Sequence, residues 1–194
     1  MRDYMKTLVQ PSRFTSWTGF VAAVLGLVLA SIILVEKLKL AMNPDYVTSC
    51  SINPIVSCSP VMSSPQAAAF FDLPNPLIGL IGFSLVASLF FISFFVKLPR
   101  FLWVANIVGV VLALIFCFWL ATQALFVIQA ICLYCCGVWL VVSVLTFFSL
   151  KPVLVGTKAE ELIPFTKIGM VVTVFAFIFM VFFAFQQFWL SLFS

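Results

Sequence analysis

The amino-acid sequence predicts an all-α protein embedded in a membrane, a four-helix transmembrane bundle followed by a fifth transmembrane helix. Three observations carry this expectation. Apolar residues make up 64% of the 194 residues and charged residues only 8%, whereas a soluble domain has about 45–50% and ~25%. Apolar runs of about 20 residues, the length that a ~30 Å hydrocarbon layer requires, recur along the chain. The basic residues fall between those runs instead of gathering in one patch, which is the topology signal of membrane proteins and argues against nucleic acid as a partner. One membrane domain over residues 1–194 is expected, with its core at 17–149 and lipid as its outer solvent.

The first apolar run covers residues 17–35 and follows Arg2, Lys6 and Arg13. It is longer than the about 7–15 residues of a signal-peptide core, and no A-x-A cleavage pattern follows, so a retained helix is expected. Residues 36–75 break the pattern with Pro44, Pro54, Pro60, Pro65 and Pro74 among serines, Asn43, Asn53, Asp45 and Asp72. Such a stretch cannot cross lipid, because its prolines leave backbone carbonyls without partners. Within it, residues 66–73 are expected to form a short interfacial helix, with Pro65 acceptable at its start.

The second helix is expected at 76–96, ending in the basic turn Lys97-Leu98-Pro99-Arg100. Residues 101–150 contain neither charge nor proline and are long enough for two spans. The polar interruption Thr122-Gln123, with Gln129 after it, places the break, giving helices at 102–122 and 130–149. Residues 151–167 are polar, and a last helix is expected at about 168–190.

Alternating spans put Arg2, Lys6, Arg13, Lys97, Arg100, Lys151, Lys158 and Lys167 on one side, and Lys37 and Lys39 on the other. The positive-inside rule then makes the first side, with the N-terminus, cytoplasmic. Cys50, Cys58, Cys132 and Cys135 share the opposite side, where disulfides form and persist.

The chain has no histidine and six cysteines, so its chemistry is expected to run on sulfur, without the commonest metal ligand or general base. Cys132-Leu133-Tyr134-Cys135 is a C-x-x-C at a helix start. Its two thiols share a face, and the unpaired amides of the first turn favour thiolate. Buried core thiols or a local crosslink are the plainer alternative for this pair. Cys50 and Cys58 lie on the Pro-rich loop, as a loop staple or as a second dithiol; two pairs in series are what an electron relay through mixed disulfides needs. Cys117 is expected to be an inert core thiol and Cys136 a spectator. Ser63 and Ser64 read as turn and cap formers. Asn75, between Pro74 and Pro76, is a candidate hydrogen-bond partner for a ligand carbonyl.

Cys50-x7-Cys58, then Ser64, then Pro74-Asn75-Pro76-Leu77-Ile78-Gly79 opening a helix, then Cys132/Cys135, resembles the vitamin K epoxide reductase family, particularly its actinobacterial members. The resemblance implies four helices around a quinone (menaquinone or ubiquinone), with no metal. It implies that Cys135 faces the quinone, that Cys132 resolves Cys135, and that Cys58 connects the loop to Cys132. Cys50 would exchange with a redox partner, and Ser64, Asn75 and Trp139 would sit at the quinone pocket or the active disulfides. Many bacterial members carry a thioredoxin-like domain after the fifth helix. This sequence ends at Ser194, so a separate thioredoxin-fold (DsbA-like) partner is expected. The expected function is quinone-reducing disulfide formation at a bacterial plasma membrane. The alternatives are reduction of vitamin K epoxide, a DsbB-type oxidase (whose pairs occur in the reverse order) and a non-enzymatic membrane protein with structural disulfides.

Overall fold

The computed structural model of the chain describes residues 7–43, 45–53, 55–69, 72–157 and 159–186. The first element is a short strand β1 (Leu8–Val9), followed by helix α1 (Arg13–Met42). After the loop come α2 (Cys58–Ser63), a 3-10 turn (Pro65–Ala68) and α3 (Asn75–Ile92). Strand β2 (Leu98–Pro99) leads into α4 (Arg100–Thr122), then α5 (Leu133–Leu154) and α6 (Phe165–Ala184). Helices α1, α3, α4, α5 and α6 are each long and apolar enough to cross a membrane, which agrees with the expected four spans plus a fifth.

Small residues set the closest helix contact. Gly19, Ala23, Gly26 and Ala30 form a stripe along α1, and α3 lays its phenylalanines onto it. A Cβ built on Gly19 would lie 2.5 Å from the Phe90 ring, and one on Gly26 2.5 Å from the Phe83 ring. Lipid gives helices little hydrophobic reason to associate, so this close approach supplies the packing. Helix α5 packs against α1, α4 and α6, whereas α3 and α4 diverge and leave a cavity between them.

The structure departs from the sequence expectations in four places. Helix α1 runs 30 residues instead of ending at 35, because Glu36, Lys37 and Lys39 are good helix formers outside the hydrocarbon as well. At ~1.5 Å per residue it outruns the bilayer core and carries its last turns beneath the cysteine loop. Helix α4 ends at Thr122 as expected, but the chain does not turn there: Thr122 Oγ1 donates to Trp119 O at 2.7 Å within the helix, and a π-turn, Gln123–Ile128, carries the helical path on. The break comes at Gln129, whose φ of 58° is left-handed, so α5 starts only at Leu133 with Cys132 as its N-cap. The short helix of the loop lies at Cys58–Ser63, and the expected one at 66–73 is reduced to the 3-10 turn, with residues 70 and 71 outside the described set. Finally, the basic turn at 97–100 is no free turn. Leu98 and Pro99 pair antiparallel with Val9 and Leu8, and Arg100 N donates to Thr7 O at 2.9 Å. The expected end of the last helix, 187–190, lies outside the described residues.

These contacts define two faces. The β1–β2 ribbon joins the segment before α1 to the α3–α4 turn, and the Arg100 guanidinium donates to the Val155 carbonyl at 2.7 Å near the end of α5. On the other face, Ile131 pairs with Val56 in a parallel bridge beside Cys132. All four motif cysteines are on this second face.

Candidate active site

The bridge brings the two cysteine pairs together. Ser57 N donates to Ile131 O at 3.0 Å and Ile131 N donates to Ile55 O at 2.7 Å. Those two bonds set the start of α2 beside the start of α5. Cys58 opens α2 and Cys132 caps α5, so their Sγ atoms lie 3.2 Å apart, both fully buried. Cys58 is joined to Cys50 in a disulfide with a Cα–Cα distance of 5.8 Å. Cys132 and Cys135 are free thiols.

The loop is held by side-chain hydrogen bonds. Thr48 Oγ1 is hydrogen-bonded to the Ser51 hydroxyl at 2.8 Å and the Ser59 hydroxyl at 3.0 Å, and Ser51 to Ser57 at 3.0 Å. Asn53 Oδ1 accepts from the amides of Ile55 (3.0 Å) and Val56 (2.7 Å), forming the turn before the bridge. Cys50 is only 4% exposed. It packs with Ile33, Cys58, Met62 and Cys132 in an apolar cluster.

A second tie comes from residues that sequence reasoning did not single out. Glu36, buried near the end of α1, accepts from Ser49 N (3.2 Å) and Ser49 Oγ (3.0 Å). The Ser49 hydroxyl is also hydrogen-bonded to the Tyr134 hydroxyl at 2.8 Å. One carboxylate therefore fixes the residue next to Cys50 and connects it to a residue inside the C-x-x-C. The available signal was an acid at the end of an apolar run.

The two C-x-x-C thiols touch each other but border different spaces. Cys132 Sγ accepts from Cys135 N at 3.3 Å, the N-capping role that a helix start offers. The Cys135 thiol donating to it holds its pKa below the ordinary thiol range. Burial opposes that shift, and the Cys135 and Tyr134 amides add to it. A thiolate-prone sulfur thus sits against a disulfide sulfur at the near-attack separation of about 3–3.5 Å. The Sγ atoms of Cys50, Cys58 and Cys132 lie within 4.8 Å of one another. With two of the three joined, the cluster has the geometry that thiol–disulfide exchange requires.

Cys135 lines the cavity instead. This is a space of about 750 Å³ between α3 and α4, walled also by α1 and α5. Ser64, Asn75 and Trp139 all line it with Cys135, so every site residue named from the sequence falls on either the sulfur cluster or this cavity. Asn75 Nδ2 donates to Gln66 O at 2.7 Å and its Oδ1 accepts from Ala69 N at 3.0 Å, so the amide ties the loop to α3. Ser64 Oγ donates to Val61 O at 2.8 Å and keeps lone pairs to offer. Trp139, 4% exposed, is stacked on Phe177 of α6 (5.3 Å, 14°), and Phe177 on Phe118 of α4 (4.2 Å, 10°). Cys117 is buried and borders the same cavity.

The cavity fits a quinone. It is lined mostly by aliphatic side chains, with Lys37, Ser64, Gln66 and Asn75 among its few polar groups and Asn106, bonded to Ser149, toward its other end, as small-molecule sites are. A Cβ on Gly82 or Gly109, on facing walls, would meet nothing within 4 Å. A disulfide against a thiolate, with the second thiol on an apolar intramembrane cavity, defines the class: a membrane-embedded disulfide oxidoreductase. The vitamin K epoxide reductase family model matches residues 17–150, and the chain belongs to that family. It is accordingly a quinone-dependent enzyme of this class. A comparison with curated proteins finds none that matches.

Proposed function

We propose that the protein reoxidises a thioredoxin-fold, DsbA-like partner outside the cytoplasm of a bacterium, passing the electrons to menaquinone or ubiquinone in the plasma membrane. The observation that carries this reading is the split of the C-x-x-C, with Cys132 against Cys58 and Cys135 on the cavity.

In this reading Cys50 takes the partner's electrons through a mixed disulfide. The exposed side chains of Val47 and Ile52 flank it and offer a docking rim. Cys58 thiolate then attacks Cys132 of an inner disulfide and frees Cys135. Cys50 closes on Cys58, which leaves an outer disulfide and an inner dithiol. That is the state of the present structure, with two electrons loaded on Cys132 and Cys135. When bound, a quinone supplies a two-electron, two-proton sink. Cys135 presents its sulfur to that sink, Cys132 closes the inner disulfide, and the apolar walls exclude water. Ser64 and Asn75 hold the loop over the cavity, and Trp139 gives it a flat wall for a ring.

The test is quinol formation by purified protein supplied with a reduced thioredoxin-fold partner. Replacing Cys50, Cys58, Cys132 or Cys135 by alanine, one at a time, should abolish it, and activity surviving without Cys132 or Cys135 would overturn the relay. A membrane-impermeant thiol reagent should reach reduced Cys50 from the extracytoplasmic side. Labelling from the cytoplasmic side alone would reverse the proposed orientation.

A further inference from the structure

Among the described residues lining the cavity, Lys37 is the one with a charged side chain. Ala30, Ile33 and Lys37 follow one another at helical spacing along the same wall of α1. The Lys37 ammonium lies at the thiol end of the cavity, donating to the Met62 carbonyl at 2.9 Å. Met62 itself packs with Cys50, Cys58 and Cys132. Lys39 makes the contrast: two residues on, it is exposed, with its ammonium over the Tyr46 ring at 5.5 Å. Glu36, the adjacent acid, is committed to Ser49. Among the described residues no carboxylate pairs with this half-buried cation, and one carbonyl bond leaves two of its three N–H donors for a ligand in the cavity.

We propose that Lys37 is the group that recognises the acceptor oxygen, binding anionic, reduced quinone forms more tightly than neutral ones and supplying a proton as the oxygen gains charge. This rests on the quinone-reducing function proposed above. In the overall step the S–H bonds of Cys132 and Cys135 break and an S–S bond forms between the two sulfurs. Two electrons and two protons end as the two O–H groups of a quinol. Lys37 hands over one of those protons and regains one from water or from the thiols at the same face. Lys37 and Cys135 line the same cavity on neighbouring helices, α1 and α5, which puts positive charge at the end where the electrons arrive.

Equilibrium binding tests this without turnover, using the full-length chain with Cys135→Ala and quenching of tryptophan fluorescence. The probes are a hydroxynaphthoquinone with an ionised hydroxyl and a neutral methylnaphthoquinone. Lys37→Gln keeps a donor for the Met62 carbonyl and removes the charge. It should weaken the anionic probe about tenfold or more, the scale of one charge-assisted hydrogen bond. The neutral probe should change by less than about threefold, and Lys37→Arg should keep the preference for the anion. Trapping of the Cys58–Cys132 mixed disulfide in a Cys50→Ala background should be unchanged by Lys37→Gln, which shows α2 still in place. An equal loss for both probes, or loss of mixed-disulfide trapping, would reduce Lys37 to a structural tie and overturn the inference. Binding of both probes with no anion preference in the parental protein would overturn it while leaving the relay intact. Binding of neither probe in the Cys135→Ala chain, together with no quinol formation by the chain with all its cysteines intact, would overturn the proposed function itself, and this inference with it.

Discussion

The two cysteine pairs share one chemistry and have opposite settings. Cys50 sits on irregular chain and Cys58 opens the short helix α2, closed on each other in a segment tied together by the hydroxyls of Thr48, Ser51, Ser57 and Ser59. Cys132 and Cys135 sit at the N-terminus of a transmembrane helix, unjoined, one sulfur toward the loop and the other toward the cavity. Hydroxyl clusters can rearrange partners at small cost, whereas a helix start fixes its groups through backbone bonds. In the proposed relay the difference separates the tasks. The loop pair can adapt to a protein partner, and the helix pair holds a constant geometry between two reaction sites.

The largest effect should come from taking one sulfur from each setting. Cys50→Ser should bring partner oxidation down to background. The same variant should still form quinol when a small dithiol replaces the protein partner, because the inner pair and cavity are untouched. Cys132→Ser should bring both assays down to background, since neither donor then has a route to a dithiol at the cavity. Equal behaviour of the two variants with the small dithiol would remove the distinction between the pairs.

The next effect concerns what holds the settings in register. Glu36→Gln removes the charge that Ser49 binds, and a hydrogen bond to a charged group contributes about 1.5–3 kcal/mol. The rate of Cys58–Cys132 exchange, followed by quenched-flow trapping, should fall about tenfold, while quinone binding should stay as it was. Tyr134→Phe should produce a smaller loss in the same assay, because it removes only the neutral Ser49–Tyr134 bond.

That network also marks how far the sequence could be read. The spans, the shared face of the four cysteines and the cavity positions of Ser64, Asn75 and Trp139 follow from hydropathy, charge alternation and a distinctive motif order. Glu36 and Tyr134 did not, because their connection through Ser49 exists only after residues 85 apart in the chain have met. The β1–β2 ribbon escaped for the same reason: two-residue strands carry no periodicity. The end of α4 at Thr122 was legible, whereas the π-turn after it and the late start of α5 were not, because a left-handed glutamine at 129 has no reliable sequence sign. The order within the loop was hidden as well, since prolines and serines look alike whether the chain is loose or hydroxyl-bonded.

The thiol end of α5 gives a test by titration. Cys132 lies below the ordinary thiol range chiefly because the Cys135 thiol donates to it. Its thiolate should therefore persist to lower pH than that of a free cysteine, lost only as the pH falls through the depressed value. Thiolate absorbance, taken as the difference between the parental protein and Cys132→Ser, measures this. Cys135→Ala should move the midpoint upward, and an unmoved midpoint would assign the shift to the helix amides alone.

The smallest expected effect lies farthest from the sulfurs. Phe177 of α6 is buried between Phe118 and Trp139, with ring centroids at 4.2 and 5.3 Å. It is the route by which the fifth span reaches the cavity wall. An aromatic pair contributes about 0.5–1.5 kcal/mol beyond its buried area, so Phe177→Leu should raise the quinone KM a few-fold by loosening Trp139. The kcat with saturating quinone and the trapping of the Cys58–Cys132 mixed disulfide should both be unchanged, because the exchange site rests on α1, α2 and the start of α5. A loss of trapping in this variant would mean that the two settings are mechanically coupled through α5. The separation of tasks would then be one of chemistry and not of structure.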